Sequence, residues 1–258
     1  ESVQKLLQSC GSKSLSSVSA EGCAWLNDET LKVLADHHST TLKLFTLDSN
    51  PSVTDAGAAY VLSKCLSVSE VKISDCPLIG ALAVPALANH TITSLHIEGP
   101  TTATDSLLAD FVQGNKDNLV RVFFEGCGML IDATLLAIAQ HCPSLKKFNV
   151  SYCNQYYDSS LSAVIKTCQL LTSLRMDYAN VTYEVLECLA AHVSTNLITL
   201  YISGCEGVTA PHITALVKRT PLLEELNIGG HQCHGLDDEI FKIIGANLPN
   251  LAGLYLNR

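Results

Sequence analysis

The side chains best equipped for chemistry in this chain are its cysteines, histidines and paired acids. His231, Cys233 and His234, with His212 upstream, form the nearest approach to a metal-binding group. Their H-x-C-H spacing matches no standard zinc pattern and no fourth ligand is evident, so an inserted turn with one buried thiol is expected and no metal. Eleven cysteines would suggest disulfides in a small secreted protein. An odd count tied to regularly recurring positions points instead to buried free thiols in a reducing compartment, the cytosol or nucleus. The sequons at Asn89, Asn149 and Asn180 argue the other way, but such triplets are common by chance. The pairs Thr54-Asp55, Thr104-Asp105 and Asp237-Asp238 fall just before helical segments. They are expected to cap free helix N–H groups rather than act as catalytic acids. With no G-x-S-x-G elbow, phosphate-binding glycine loop or H-E-x-x-H helix, the expectation is a non-enzyme without a cofactor.

The elements that must position any site recur with a fixed period. The stretch Leu119 to Cys142 places Leu119, Val122, Phe124, Cys127 and Leu130 at the spacings of the leucine-rich repeat signature, a strand and turn followed by a helix. Related stretches begin at 15, 42, 68, 92, 119, 145, 171, 197, 223 and 251, with intervals from 24 to 28 and 26 the commonest. Residues 3 to 10 read as the helical half of a unit. Pro85 implies a short helix in the third unit, and Pro100 stands where the fourth should carry Cys or Asn. The predicted fold is an α/β solenoid of about ten repeats over residues 1–258, a curved horseshoe with parallel strands on the concave face and helices on the convex face. No linker interrupts it, so one domain is expected, a fragment of a longer protein because both ends fall within a unit.

Register separates the core from the surface. The first, fourth and sixth positions of each unit should form apolar ladders, and Cys23, Cys76, Cys127, Cys153 and Cys205 at the ninth should turn the chain over neighbouring backbone. Cys10, Cys65, Cys142 and Cys168 close the helical halves. Fifth positions then face outward: Ser19, Thr46, Lys72, His96, Phe123, Asn149, Arg175, Tyr201, Asn227 and Tyr255. Third positions add Arg121 and Lys147, and eighth positions add Tyr152 and Tyr178. Units five to eight should therefore present Arg121, Phe123, Lys147, Tyr152, Arg175, Tyr178 and Tyr201 as a protein-binding surface, because aromatic and arginine side chains are enriched in binding hot spots. Acidic seventh positions, Glu21, Asp48, Glu98, Glu125 and Asp177, should give a solvated acidic border beside it.

The net charge of -9 with 16% charged residues disfavours nucleic acid and anionic lipid and favours a protein partner, a basic one being the simplest match. No apolar run reaches membrane-spanning length, and Glu1 opens no segment with a charged start and an apolar core. Cysteine at the ninth position, the period of 26, the turn Val53 to Gly57 (VTDAG) and the helix end Cys142-Pro-x-Leu145 resemble the cysteine-containing leucine-rich repeat subfamily. That resemblance implies a non-catalytic recognition module, typical of F-box proteins that serve as substrate receptors of ubiquitin ligases. Similar repeats serve as adaptors in cytoskeletal, flagellar and mitochondrial assemblies. A third reading makes Arg121, Lys147 and Arg175 the holders of a small anionic ligand. Pro100, Ala179 and His231 depart from the pattern, which touches geometry alone.

Overall fold

The fold is taken from a computed structural model, which describes residues 2–9, 15–205, 207–230 and 236–256. Ten parallel strands form one sheet in strict chain order. They are β1 (Ser17–Glu21), β2 (Leu44–Asp48), β3 (Glu70–Ser74), β4 (Ser94–Glu98), β5 (Arg121–Glu125), β6 (Lys147–Asn149), β7 (Ser173–Arg175), β8 (Thr199–Tyr201), β9 (Glu225–Asn227) and β10 (Gly253–Tyr255). The helices are α1 (Ser2–Ser9), α2 (Asp28–His38), α3 (Asp55–Lys64), α4 (Ala83–Ala86), α5 (Asp105–Gly114), α6 (Asp132–His141), α7 (Asp158–Thr167), α8 (Tyr183–His192), α9 (Ala210–Arg219) and α10 (Asp238–Asn247). Each packs on the next along the array. This is the leucine-rich repeat solenoid expected from the sequence. Pro85 does leave a short helix: α4 spans four residues and continues as a 3₁₀ turn over Leu87–Asn89.

The strands alternate because one face must be dry. In β5, Val122 and Phe124 are fully buried while Arg121, Phe123 and Glu125 keep part of their surface. Fourth positions stack as Val122, Phe148 and Leu174 across β5, β6 and β7, and the helices seal this core from the other side. The last ladder position is the twelfth, filled by Leu26, Val53, Ile79, Ala103, Leu130, Tyr156 and Val208. Unit seven has one residue fewer before its helix, so Val181 takes this place there. Although β6 to β10 are three residues long, pairing continues beyond them, with Val150 N donating to Arg175 O at 3.0 Å and Tyr152 N to Asp177 O at 2.8 Å.

Ninth-position side chains tie the turns of units two, five, six and eight to the preceding strand. Thiols of Cys127, Cys153 and Cys205 donate to the sixth-position carbonyls of Ile97, Phe124 and Met176 at 3.2, 2.7 and 3.1 Å. Asn50 makes the same bond to Ala20 at 2.9 Å, so Asn and Cys act as equivalent donors. All nine cysteines among the described residues are free; Cys10 and Cys233 lie outside those residues. Burial pushes the thiol of Cys65 up to about 11, Cys142 to about 12, Cys153 to about 12 and Cys168 to about 11. Such thiols stay protonated and unreactive at neutral pH.

Two of the three expected acidic pairs cap their helices, and the third does not. Thr104 and Asp237 cap their own helices, but Thr54 donates to Asp28 instead of accepting from its helix. The aspartates that open the helices reach forward to the next unit. Asp28 accepts from Thr54 N, Asp55 from Gly80, Leu82 and Ala83 N, Asp105 from Ile131, Ala133 and Thr134 N, and Asp132 from Tyr157 N. Each of these forward contacts is a bond between repeats.

Candidate functional site

The sheet face without helices is a long surface on which ten units display equivalent side chains, and the register places each of them. Strand pairing runs Ser19, Thr46, Lys72, His96, Phe123, Asn149, Arg175, Tyr201, Asn227 and Tyr255 in one unbroken row. Every fifth-position residue thus sits where the alternation puts it. One differs in exposure: Asn149 is 3% exposed, its amide donating to Glu125 at 3.0 Å and its oxygen accepting from Ser151 N at 2.8 Å.

The seven residues expected to form the surface divide into three groups. Phe123, Lys147 and Arg175 line one groove of about 510 Å³ together with His96, Glu125 and Glu225. The His96 and Phe123 rings are in tilted contact at 5.3 Å. Tyr201 contacts two of the lining residues: its ring lies 4.4 Å from the Arg175 guanidinium, and its hydroxyl donates to Glu225 at 2.9 Å. Burial, and then that bond, pushes the Tyr201 hydroxyl well above the usual phenol range. Arg121 is diverted, since its guanidinium reaches over Ser94 to Glu70, two strands away, at 2.8 Å. That pair occupies Arg121, which leaves Lys147 and Arg175 as the members of the trio that line the groove.

Tyr152 and Tyr178 form the third group, at the rim just beyond the strands. Their rings stack at 5.2 Å with an interplanar angle of 11°, and they remain 53% and 43% exposed. Their backbones explain the cost of this display. The eighth position turns the chain sharply in every unit where it is described: Gly22, Ser49, Asp75, Gly99, Gly126, Tyr152, Tyr178, Gly204 and Gly230 all have positive φ. Left-handed backbone suits glycine and costs a bulky residue on the order of 1 kcal/mol. At φ 60 and 52, the two tyrosines bear that strain and still expose their rings. Tyr178 also packs on the backbone of Gly204, where any Cβ would strike its ring. A second cavity of about 520 Å³ opens beside Tyr178, Asn180 and Tyr183.

Of the border carboxylates, Glu21 is exposed as expected, whereas Asp48, Glu98, Glu125 and Asp177 are partly buried. Asp48 and Glu98 bracket Lys72 at 3.9 and 4.0 Å. Asp177 accepts from Ser203 N at 2.7 Å and from Asn227 at 3.3 Å, both through Oδ1. Burial pushes its carboxyl up to about 6, and the Ser203 amide and Arg175 guanidinium only partly oppose that. A carboxyl raised in the folded state binds its proton more tightly there than in the unfolded chain. Its contribution is therefore full below about pH 4 and is lost as pH rises through about 6. Asp177→Asn keeps the Oδ1 acceptor and removes the charge. It is expected to gain on the order of 2 kcal/mol over wild type between pH 4.5 and 7.5. Paired urea titrations at those pH values check this; a pH-independent difference would contradict it.

His231, Cys233 and His234 lie outside the described residues. Among the described residues, no three His, Cys, Asp or Glu side chains are placed to hold a metal ion, and His212 is engaged with the Thr209 hydroxyl at 3.0 Å and the edge of Tyr183. Ser173 and Thr199, which complete the third-position row beside Lys147, were not singled out by residue type. Extending that row along the period would have found them.

Known structures share this architecture. A chain of the Rad7 and Elc1 complex of yeast superposes with a TM-score of 0.60 at 15% identity, covering 89% of this chain and 66% of that one. An internalin of Listeria monocytogenes superposes with a TM-score of 0.56 at 16% identity, covering 99% of this chain and 81% of that one. The likeness is one of fold. No family model matches the sequence. Among the described residues, no helix is long and apolar enough to cross a membrane.

Proposed function

We propose that this solenoid is a non-catalytic recognition module that binds a protein partner on its helix-free, concave face, chiefly through units five to eight. The observation that carries this reading is the set of aromatic and cationic side chains presented there: the strained, exposed Tyr152 and Tyr178 pair and the half-buried Arg175 guanidinium against the Tyr201 ring. Arginine and tyrosine fixed by their neighbours lose little freedom on binding, which is what hot-spot residues need. A strip of ten strands at about 4.8 Å spacing is on the order of 40 Å long, enough for a standard interface.

The finer reading is a substrate receptor of the F-box type, working in the cytosol or nucleus. Its support is the set of ninth-position thiols, Cys127, Cys153 and Cys205, which make one recurring bond to the preceding strand. The buried, protonated thiols suit a reducing compartment.

The test is a comparison of captured proteins. Wild type, Arg175→Ala and Tyr201→Ala are immobilised, exposed to lysate, and the retained proteins quantified by mass spectrometry. One discrete set of proteins is expected to fall at least about ten-fold with both variants, the equivalent of about 1.4 kcal/mol. Unchanged retention by variants whose circular dichroism matches wild type would refute the surface.

A further inference from the structure

We propose that the groove between β6 and β8 seats a single carboxylate of the partner, an aspartate or glutamate side chain in an extended acidic segment, held by Lys147, Arg175 and Ser173. This rests on the protein-binding reading above and assigns its chemistry. It also reverses the simplest expectation from net charge, which favours a basic partner.

The starting observation is an inequality among cations. The third and fifth positions of the face carry four of them, Lys72, Arg121, Lys147 and Arg175. Lys72 lies between Asp48 and Glu98, and Arg121 pairs with Glu70. Among the described residues, Lys147 and Arg175 have no carboxylate within ion-pair distance, although the chain carries 25 acids against 16 Lys and Arg. Apart from the through-space pull of Arg175 on the Asp177 carboxyl, these two neighbouring cations are left to meet charge from outside.

The arrangement of donors suits a carboxylate. The Tyr201 ring lies 4.4 Å from the Arg175 guanidinium and restrains it, while the guanidinium N–H groups donate to no group among the described residues. A guanidinium held in this way presents the planar fork that matches two carboxylate oxygens. Ser173 pairs with Lys147 across β6 and β7 and precedes Arg175 by two residues, so it shares their face. Its hydroxyl has no partner among the described residues. One strand and two residues separate Lys147 from Arg175, about 8 Å between Cα atoms, which both long side chains span to a common point beside Ser173.

Charge also selects among anions. Glu125 and Glu225 line the same groove, each engaged by a neutral donor, Asn149 or Tyr201. Two cations and two carboxylates leave the groove near neutrality, so a monoanion seated on the cations is tolerated where a phosphate dianion meets more repulsion. Phe123 and Ile198 add apolar walls that fit an aliphatic neighbour of the acid. A short acidic segment with an apolar residue between its acids satisfies all of these contacts.

An NMR titration tests this with the chain as it is. The probe is the peptide Gly-Glu-Leu-Glu-Gly, acetylated and amidated so that its only charges are the carboxylates. Saturable shifts are expected at the Arg175 Nε–H and the Ser173 and Thr199 amides. The Gln counterpart should bind at least five-fold more weakly, and Lys147→Glu, an exposed substitution, should abolish the shifts with the amide spectrum otherwise intact. Arg175→Gln should weaken binding to the level of the Gln peptide. Equal shifts with the Gln peptide, or the same shifts from inorganic phosphate at lower concentration, would overturn the proposal. Loss of captured proteins in Arg175→Ala and Tyr201→Ala without any response to the Glu peptide would leave protein binding standing and refute the carboxylate alone.

Discussion

Phe124→Ala is expected to lower the unfolding free energy by roughly 3–5 kcal/mol, while Phe123→Ala, one residue earlier in the same strand, costs less than about 1 kcal/mol. The difference comes from the pleat. Phe124 is 0% exposed and sits in the sixth-position ladder beside Ile97; its carbonyl also receives the Cys153 thiol at 2.7 Å. Removing its ring leaves a cavity whose walls are fixed by strands on either side and by helices behind, so the site cannot collapse to fill it. Phe123 points the opposite way, touches His96 and lines the groove. Its loss removes one partly exposed contact. In binding the order should invert: Phe123→Ala weakens partner capture in a protein of nearly wild-type stability. Urea unfolding of the two variants and wild type measures the first effect. Similar losses for both would mean that the strand does not separate core from surface as described.

That pair also shows how much of the molecule is legible in sequence. Alternation at period two and repetition at period 26 are local properties, so the whole fifth-position row could be written down from residue types and is recovered in the strand pairing from Ser19 to Tyr255. What local patterns miss are contacts whose partner lies a full unit or more away. Arg121 looks available until Glu70, 51 positions earlier, is brought to 2.8 Å. Asn149 looks like a surface residue until Glu125 and Ser151 enclose it. The left-handed eighth position is visible in Gly22, Gly99, Gly126, Gly204 and Gly230 but hidden by the two tyrosines that share it. Ser49 and Asp75 share that backbone, but only the tyrosines add exposed, stacked rings to it, and residue type does not report a backbone property. The candidate site was therefore legible as a row of residues, and its division into a groove, a diverted arginine and a rim pair was not.

The forward-reaching aspartates are the strongest case of a contact between units, and Asp105 gives the largest polar effect expected here. Its carboxylate accepts from Ile131 N at 3.2 Å, Ala133 N at 2.8 Å, Thr134 N at 3.1 Å and the Thr134 hydroxyl at 2.6 Å. Together these satisfy donors that open α6 and would otherwise be orphaned at its N-terminus, and they place a negative charge where the helix dipole favours one. Ile131, the residue at the cap position, supplies no side-chain bond of its own, so nothing local replaces Asp105. Asp105→Ala is expected to cost about 2–4 kcal/mol, above the usual value of one cap because several donors are stranded together. Asp105→Asn keeps one acceptor oxygen and should lose about half as much. A solenoid is stabilised by the coupling of each unit to the next, so the loss should also loosen the junction between units four and five. Amide hydrogen exchange at Ala133 and Thr134 reads this directly. Faster exchange confined to α6 and its neighbours, with a lower midpoint in urea, is the expected result; a loss below about 1 kcal/mol with unchanged exchange would mean that the helix finds its cap elsewhere.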